Sequence, residues 1–323
     1  MSTVLVTGSA GFIGNRVARL LLDEGYDVVG IDNLNDAYDK RIKQHRLEAL
    51  EGEKGYTFYE ADIENLYDLK PIFEKHSFET IFNLAARAGV RYSIENPHIY
   101  MQSNAQGALN LLELMNEYKC NKLVLASTSS LYAGHSMPFT EDKPVEHPLS
   151  PYAASKKAAE VMAYTYHHLY GLDVTILRYF TVYGPAGRPD MAPFRFIKWI
   201  QEGTPITVFG DGTQTRDFTY VDDIARGTLL GAKPMGYSVI NLGGGKRPIQ
   251  LLDFIHMIEE RLGKKAELVF QPMSASEMID TSADISKAKR ELGWEPEVDL
   301  PEGVDKTVEW YLENLKWASQ VTL

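Results

Sequence analysis

The run Thr7-Gly8-Ser9-Ala10-Gly11-Phe12-Ile13-Gly14 is the most informative pattern in the chain, because its three glycines separate an apolar segment from a helical one. The residues Thr3–Thr7 are apolar or β-branched, which predicts a strand. After the glycines, Val17, Leu20 and Leu21 recur at helical spacing. The chain therefore begins with a strand, a glycine turn and a helix.

The predicted helix ends at Glu24-Gly25, and a second strand is predicted at 27–31, with Asp32 at its carboxyl end. A glycine turn with an acid about twenty residues on is typical of dinucleotide binding. The glycines let the backbone approach a pyrophosphate at the helix N-terminus, and Asp32 can accept hydrogen bonds from the adenosine ribose. A carboxylate there repels the extra phosphate of NADP, so NAD is the predicted cofactor. The alternative is that the glycines only make a tight turn.

Further strands are predicted at 56–60, 80–84, 122–127 and 174–178, with helices between them. This alternation predicts an α/β fold with a doubly wound parallel sheet. Ligands bind beyond the carboxyl ends of such strands. The residues at those ends include Asp62, the segment 83–86 and the hydroxyl cluster Ser127-Thr128-Ser129-Ser130. The hydroxyls could equally be turn formers.

The alternation breaks down after residue 185, where glycine and proline become dense at 184–193 and again at 203–212. A helix at 220–230 and a strand at 238–242 are assigned back to the sheet. The predicted division is therefore interleaved. Residues 1–182 plus about 220–245 form a dinucleotide-binding domain, and residues 183–219 plus 246–323 form a smaller α/β substrate lobe.

Tyr152 and Lys156 stand one helical turn apart in the segment Ser150-Pro151-Tyr152-Ala153-Ala154-Ser155-Lys156. Residues four apart project from the same face of a helix, so the phenol and the ammonium can enter one pocket. A nearby cation favours the phenolate, which predicts a base that works near neutral pH. A surface Tyr and Lys on an amphipathic helix would show the same spacing.

Composition excludes several classes of function. The net charge of −11 argues against a nucleic-acid partner, and the basic run Lys40 to Arg46 is interpreted as the solvated face of a helix. The single cysteine, Cys120, cannot form an intrachain disulfide, and no apolar run is long enough to span a membrane. Cys120 and the adjacent His167-His168 do not make a metal site. A cytoplasmic protein with no membrane partner is expected.

With these residues placed, the chain resembles the extended branch of the short-chain dehydrogenase/reductase family over essentially its whole length. The glycine run, Asp32, NLAA, the hydroxyl cluster, YAASK, Arg216-Asp217 and Asp222-Asp223 follow in the family's order. Within that branch it is most similar to UDP-glucuronate 4-epimerases, on the segments GIDNLNDAYD, AGVRYSIENP and RYFTVYGPAGRPDMA. The resemblance implies a Rossmann-type sheet, tightly bound NAD and a UDP-sugar substrate. It also implies a homodimer that pairs the helices around 97–118 and 152–170.

The resemblance also implies catalytic roles. Tyr152 would remove the proton from the sugar's 4-hydroxyl while hydride passes to NAD, and Lys156 would hold the nicotinamide ribose and lower the pKa of Tyr152. Thr128 would hydrogen-bond the same sugar oxygen, with Ser127 and Ser129 beside it. The 4-keto sugar would rotate and be reduced on its other face, so the net redox change is zero.

Arg188 is predicted to bind the sugar carboxylate, because a guanidinium offers paired donors that match it. Thr181 should lie near the same carboxylate, and Arg216 resembles the family's diphosphate-binding arginine. Two alternatives stay open: Arg188 could pair with Asp190, and Arg216 with Asp217. A 4-ketone makes the acid a β-keto acid, so Arg188 and Thr181 are expected to hold the carboxylate out of the alignment that releases carbon dioxide.

Two sets of binding residues are thus predicted. The cofactor set is Gly8, Gly11, Phe12, Ile13, Gly14, Asp32, Asn33, Asp62, Ile63, Leu84, Ala85, Ala86, Tyr152, Lys156 and Tyr179. The substrate set is Arg91, Ser129, Ser130, Thr181, Arg188, Val208, Arg216 and Asp280.

Two departures from the relatives' usual residues, Arg87 and Ala186, leave the shape of the sugar pocket open. Asn83 is also not the most usual residue at its position, and it is expected to be a neighbour of the cofactor. UDP-glucose 4-epimerase and UDP-glucuronate decarboxylase remain alternative activities. A non-catalytic NAD-binding sensor is the alternative from another class, although such proteins tend to lack the tyrosine base.

Overall fold

The computed structural model describes residues 2–245, 248–272 and 280–323. Its strands are, in chain order, β1 (Thr3–Thr7), β2 (Asp27–Asp32), β3 (Tyr56–Glu60), β4 (Thr80–Asn83), β5 (Lys122–Thr128), β6 (Asp173–Tyr179), β7 (Thr181–Tyr183), β8 (Ile206–Phe209), β9 (Thr215–Arg216), β10 (Phe218–Tyr220), β11 (Tyr237–Leu242), β12 (Ile249–Gln250) and β13 (Leu268–Gln271).

The helices lie between these strands and after the last of them. They are α1 (Phe12–Asp23), α2 (Lys40–Glu48), α3 (Leu66–Lys75), α4 (Val90–Glu95), α5 (Pro97–Tyr100), α6 (Gly107–Tyr118), α7 (Pro151–Tyr170), α8 (Ala192–Glu202), α9 (Val221–Leu230), α10 (Leu251–Leu262), α11 (Ser286–Leu292), α12 (Leu300–Glu313) and α13 (Leu315–Ala318). A π-helical turn, Met101–Gln106, joins α5 to α6, and a 3₁₀ turn, Ser129–Tyr132, follows β5.

Seven parallel strands form the central sheet in the order β11-β6-β5-β4-β1-β2-β3. The chain passes from β1 to β2 in one direction and returns to β4 on the other side of β1. This reversal opens a crevice beyond the carboxyl ends of β1 and β4, where ligands bind in such sheets. The predicted α/β class with a doubly wound parallel sheet is confirmed.

Buried apolar side chains form clusters on both faces of the sheet and a separate cluster beside it. Leu21 and Val124 belong to the cluster on one face, and Leu111 and Ile176 to the cluster on the other. Burial of apolar surface on both faces is what a parallel sheet requires. The separate cluster is formed mainly by α8, α10 and α12 with the short strands β7, β8 and β10.

The division into two domains stays a prediction. Its borders at 182/183 and 219/220 cut through β7 and β10, which pair with each other in parallel, and the border at residue 246 lies outside the described residues. The two parts are therefore joined by backbone hydrogen bonds as well as by chain crossings.

Candidate active site

The inner cavity is a space of about 320 Å³ beyond the ends of β5 and β6. Its lining includes Thr128, Ser129, Ser130, Tyr152 and Arg188. The structure therefore brings together the predicted base, the hydroxyl cluster and the arginine predicted to bind a carboxylate, which lie far apart in the sequence.

Tyr152 faces this cavity from the first turn of α7. Ser150 caps the helix, its hydroxyl accepting a hydrogen bond from the Ala153 N–H at 3.2 Å, and Pro151 occupies the first helical position. The ring of Tyr100 packs edge-on against that of Tyr152, with centroids 6.0 Å apart. Capping and ring packing together fix the direction of the phenol.

Burial raises the pKa of Tyr152, while a hydrogen bond with Thr128 and the charge of Arg188 act to lower it. Lys156 donates to the Ala126 carbonyl oxygen at 2.8 Å, and burial lowers the pKa of its amine to about 8. We expected Lys156 to lower the pKa of the phenol. Thr128 and Arg188 are the groups that act to lower it in the structure, and the effect of Lys156 on that pKa stays a prediction.

The four hydroxyls at the end of β5 differ in their partners. The Ser127 hydroxyl donates to Glu160 Oε1 at 2.7 Å, so this serine is committed to a buried carboxylate. Thr128 Oγ1 accepts the Ser130 N–H at 3.1 Å and caps the 3₁₀ turn that carries Ser129 and Ser130. Thr128 is thus the hydroxyl that the structure places in hydrogen-bonding reach of Tyr152.

The glycine cleft is the groove lined by Gly8, Gly11, Asp32, Asp62 and Ala85 among others. Gly8 has a φ of +70°, and a β-carbon there would lie 2.8 Å from the Ala85 nitrogen. A β-carbon on Gly14 would lie 2.1 Å from the Gly8 carbonyl oxygen. Only glycine therefore fits these positions, and no side chain caps α1 within the described structure, so its first N–H groups can meet an anion. The cleft fits a dinucleotide.

The other predicted cofactor residues divide between two cavities. Asn33 donates to Asp62 Oδ2 at 2.7 Å at the edge of the glycine cleft. The N–H groups of Leu84 and Ala85 both donate to Thr7 Oγ1 at 3.1 Å, which fixes the turn after β4. Ile63 and Ala86 also line the glycine cleft, whereas Phe12, Ile13 and Tyr179 line the inner cavity. The hydroxyl of Tyr179 is bonded to Thr228 at 2.8 Å.

Asp32 is buried and already engaged on both oxygens. It accepts the N–H groups of Ala10 at 3.2 Å and Leu34 at 2.9 Å, and its Oδ1 lies 3.2 Å from the Lys43 ammonium. A cation therefore stands beside the acid that was expected to repel a ribose phosphate. The charge argument against NADP is weaker than the sequence suggested.

The interpretation of the run Lys40 to Arg46 as a solvated helix face is wrong for two of its cations, Lys43 and Arg46, which are 5% and 3% exposed. Arg46 donates to the carbonyl oxygens of Ala186 at 2.7 Å and Ala10 at 3.1 Å. These bonds tie α2 to the glycine turn and to a distant loop. They also hold Ala186 at a φ of +52°, a left-handed conformation that costs a residue with a β-carbon about 1–2 kcal/mol.

Arg188 lines the inner cavity, the glycine cleft and a third, outer cavity. Its Nε and Nη2 donate to the two oxygens of Asp190 at 3.1 and 2.5 Å, and Nη2 also donates to the Ala88 carbonyl oxygen at 3.2 Å. The alternative that Arg188 pairs with Asp190 is therefore realised. Within the described part of the chain, Nη1 donates no hydrogen bond and is left for a ligand.

The outer cavity, about 620 Å³, is lined by five arginines, namely Arg87, Arg91, Arg188, Arg195 and Arg216. The guanidinium of Arg91 lies 3.9 Å from the centre of the Phe209 ring. The Nε atoms of Arg87 and Arg195 are buried and lack a hydrogen-bond partner among the described residues. The site thus has more cations facing one space than the sequence prediction named.

Two predicted substrate residues differ from the rest in their placement. Val208 is fully buried in β8, while its neighbours Thr207 and Phe209 line the outer cavity, because alternate side chains of a strand face opposite ways. Asp280 Oδ1 accepts the N–H and the hydroxyl of Thr215 at 2.9 and 2.6 Å, directly before Arg216. Asp280 therefore supports the strand that carries Arg216.

The second open pairing concerned Asp217. Its oxygens accept the backbone N–H groups of Gly244 and Ala283, each at 2.7 Å, and burial raises the pKa of its carboxyl to about 6. This carboxylate ties the Arg216 strand to the turn after β11.

Asn104 and Glu160 are positioned at the site but were missed in the sequence. Asn104 lies in the π-helical turn and donates to the Arg87 carbonyl oxygen and to the Ser155 hydroxyl, at 2.9 and 2.8 Å. Its only signal was a polar residue inside an amphipathic pattern. Glu160 follows Lys156 by one turn, a spacing that could have drawn attention to it.

Neither metal ligands nor a membrane span was found in the described part of the chain. No group of three or more His, Cys, Asp and Glu side chains there could hold an ion. No described helix is both long and apolar enough to cross a bilayer.

Comparisons with known proteins agree with this geometry. Residues 4–243 match the model of the NAD dependent epimerase/dehydratase family. The chain is 58% identical over 316 residues to a UDP-glucuronate 4-epimerase of Thermodesulfobacterium geofontis, covering 98% of each chain.

Two solved structures are also similar. One is a UDP-glucuronic acid 4-epimerase from Bacillus cereus in complex with UDP-glucuronic acid and NAD, with TM-score 0.91, 39% identity and coverage of 97% of this chain and 99% of that chain. The other is a UDP-glucose 4-epimerase of Thermotoga maritima with UDP-glucose, with TM-score 0.89, 34% identity and the same coverage. From its sequence, its sheet and its glycine cleft, this chain belongs to the NAD dependent epimerase/dehydratase family.

Proposed function

We propose that this protein is a UDP-glucuronate 4-epimerase, which interconverts UDP-glucuronate and UDP-galacturonate through a transient 4-keto sugar with tightly bound NAD. The observation that carries the proposal is the shared inner cavity of Tyr152, Thr128, Thr181 and Arg188, a base and a hydroxyl beside a cation suited to a carboxylate. The 58% identity to a UDP-glucuronate 4-epimerase supports the same substrate.

The glycine cleft would hold NAD, with its pyrophosphate at Gly8, Gly11 and the N-terminus of α1. Asp32 would accept ribose hydroxyls, and Lys43 would keep that carboxylate oriented. When bound, NAD accepts a hydride from the fourth carbon of the sugar and later returns it.

Tyr152 is the acid–base group of the reaction. As a phenolate it takes the proton of the 4-hydroxyl when that carbon loses hydride, and it returns the proton when the ketone is reduced. The single O–H of Thr128 donates to the Tyr152 phenolate before the transfer, and it can turn to the same sugar oxygen once Tyr152 has taken the proton. Because burial raises the pKa of the phenol, the charge of Arg188 and the hydroxyl of Thr128 are needed to make the phenolate accessible.

Arg188 and Thr181 position the sugar carboxylate. The 4-ketone places this carboxylate in a β-keto relation, and such acids lose carbon dioxide when the breaking bond stands perpendicular to the carbonyl plane. Holding the carboxylate out of that alignment keeps the reaction an epimerisation. The outer cavity, with Arg91 and Arg216, would bind the diphosphate.

The test is incubation with UDP-glucuronate, UDP-galacturonate and UDP-glucose in turn, followed by chromatographic separation of the sugar nucleotides. We expect UDP-glucuronate and UDP-galacturonate to interconvert much faster than UDP-glucose reacts. A preference for UDP-glucose, or a UDP-pentose as the main product, would assign the activity to the two alternatives. Mass spectrometry of nucleotide released on denaturation should find NAD, and a protein that carries NAD and turns over none of the three would be a sensor.

We also propose a cytoplasmic homodimer that pairs α7 and the helices before it. Val161, Tyr164, Leu169 and Tyr170 are at least half exposed along α7, more apolar surface than a lone helix face usually presents to water. Sedimentation at micromolar concentration should give twice the mass of one chain, and Tyr164→Lys should shift it to the monomer. A monomeric parent protein would contradict this assembly.

A further inference from the structure

Glu160 is a buried carboxylate that the reaction described above does not use. It lies on α7 one turn beyond Lys156, and it is 2% exposed. A carboxylate in such a place must be paired and hydrogen-bonded, since a lone buried charge is strongly unfavourable. Its partners therefore indicate what it does.

Those partners come from two neighbouring strands of the sheet. Arg178 on β6 forms a two-pronged pair with Glu160, from Nε to Oε1 at 2.9 Å and from Nη2 to Oε2 at 2.8 Å. Ser127 on β5 donates to Oε1 at 2.7 Å. The third nitrogen of Arg178 donates to the Tyr132 hydroxyl at 2.8 Å, so the pair belongs to a connected buried network.

The serine places this network next to the reacting groups. Ser127 stands between Ala126, whose carbonyl oxygen accepts the Lys156 ammonium, and Thr128, which bonds to Tyr152. All three residues are consecutive in β5. The bond between Ser127 and Glu160 thus ties the strand end to the helix that carries both Tyr152 and Lys156.

Charge gives a second connection. The charged and titratable groups that face Glu160 are Arg178 on β6, Lys157 on α7 at 3.6 Å, Tyr132 through Arg178, and Tyr237 on β11. Glu160 is itself held ionised, because the hydrogen bonds and charge of Arg178 outweigh burial, and its pKa stays below the ordinary value. Burial lowers the pKa of Lys156, and the negative charge of Glu160 is what opposes that shift.

We propose that Glu160 is a positioning residue for the Tyr152–Lys156 pair: it ties the hydroxyl-bearing end of β5 to α7 and keeps the Lys156 amine an ammonium inside the protein. The inference rests on the proposed epimerase function for its catalytic consequence. Its electrostatic part concerns Lys156 alone and can be measured without turnover.

The experiment compares Glu160→Gln with Ser127→Ala and Glu160→Asp. Trace labelling with acetic anhydride over a range of pH, read by mass spectrometry, gives the titration midpoint of Lys156 in each purified protein. Removing a unit charge roughly 6 Å away at an effective dielectric of about 20 should lower this midpoint by roughly one to two pH units in Glu160→Gln. Ser127→Ala removes a hydrogen bond but no charge and should leave the Lys156 midpoint unchanged. Glu160→Asp keeps the negative charge, so its Lys156 midpoint should lie close to that of the parent protein.

The rate profile gives the second readout. In Glu160→Gln, the pH above which kcat with UDP-glucuronate declines should shift to lower pH by as much as the Lys156 midpoint does. In Ser127→Ala, kcat should be lower at every pH, and the pH of the decline should not change. If Glu160→Gln does not fold because Arg178 is left unpaired, the double variant Glu160→Gln/Arg178→Met removes both charges, and its midpoint should still lie below that of the parent. A Lys156 midpoint equal to the parent's would overturn the proposal. An unmoved rate profile with a lowered midpoint would overturn the catalytic part of the proposal, in which the charge of Lys156 matters for turnover.

Discussion

Replacing Arg188 with methionine should selectively reduce the turnover of UDP-glucuronate. The structure limits how Arg188 can bind a carboxylate, because Nε and Nη2 are engaged by Asp190 and the Ala88 carbonyl oxygen. With those contacts kept, Nη1 is the nitrogen that can reach the substrate. The substrate therefore receives about one charge-assisted hydrogen bond, and a full two-pronged fork would require Asp190 to withdraw.

A hydrogen bond to a charged group contributes about 1.5–3 kcal/mol. Each ~1.4 kcal/mol is a factor of ten, so Arg188→Met should lower kcat/KM for UDP-glucuronate by about 10- to 150-fold. UDP-glucose has no carboxylate and should lose less. Since the charge of Arg188 also lowers the pKa of Tyr152, its removal should shift the acidic limb of both pH–rate profiles to higher pH.

The assay is initial rates with both substrates, with separation of epimer from any UDP-pentose. Because Arg188→Met leaves the Asp190 carboxylate unpaired, the matched controls are Asp190→Asn and the double variant Arg188→Met/Asp190→Asn. A loss that persists in the double variant, accompanied by some pentose product, is expected. Equal losses for the two substrates, with no pentose in any variant, would refute the assignment of Arg188 to the carboxylate.

Three further outcomes are expected. Tyr152→Phe should lower kcat by about 10²- to 10⁴-fold while the purified protein still releases NAD, and undiminished turnover would rule out the phenol as the base. Asp32→Ser should reduce the retention of NAD and leave the Lys43 ammonium free to bind a ribose phosphate. Competition titrations should therefore show a higher affinity for NADP relative to NAD than in the parent protein. Burial raises the pKa of Asp217 from 3.8 to about 6. Between these two pH values the folded protein holds a proton on Asp217 that the unfolded chain has lost. The contribution of Asp217 to the free energy of unfolding therefore falls as pH rises through that window. Denaturant titrations at several pH values should show a flatter dependence for Asp217→Asn, and parallel curves would contradict this.

The parts of the site that depend on residues close together in the sequence could be predicted. The run Gly8 to Gly14 specifies a turn that only glycine can make, and the spacing of Tyr152 and Lys156 places both on one face of α7. The alternation of strand and helix patterns predicts the parallel sheet, and the sheet predicts a ligand-binding crevice beyond the carboxyl ends of its strands. Such inferences need only residues close in sequence or a rule about strand ends.

What the sequence could not supply was the pairing of distant charges. Lys43 and Arg46 resemble any solvated helix face, and their burial becomes apparent only when α2 is seen against Asp32 and the Ala186 carbonyl. Likewise, nothing in the sequence near Glu160 shows that Arg178 will reach it from β6. Hydrophobic periodicity reports which face is buried, and it carries no information about which buried charges meet.

The same limit applies to net charge. An overall charge of −11 describes the whole chain, yet five arginines line one outer cavity of about 620 Å³. A cleft with low-dielectric walls focuses the field of the charges inside it, so the surrounding acidic surface need not cancel the attraction felt by an entering anion. Such an enclosure suits a small polyanion with charges at fixed spacing, as a diphosphate and a carboxylate on one sugar nucleotide provide. The net negative charge of the chain and the attraction of anions into the outer cavity are therefore compatible, because the cavity arginines act at shorter range than the net charge.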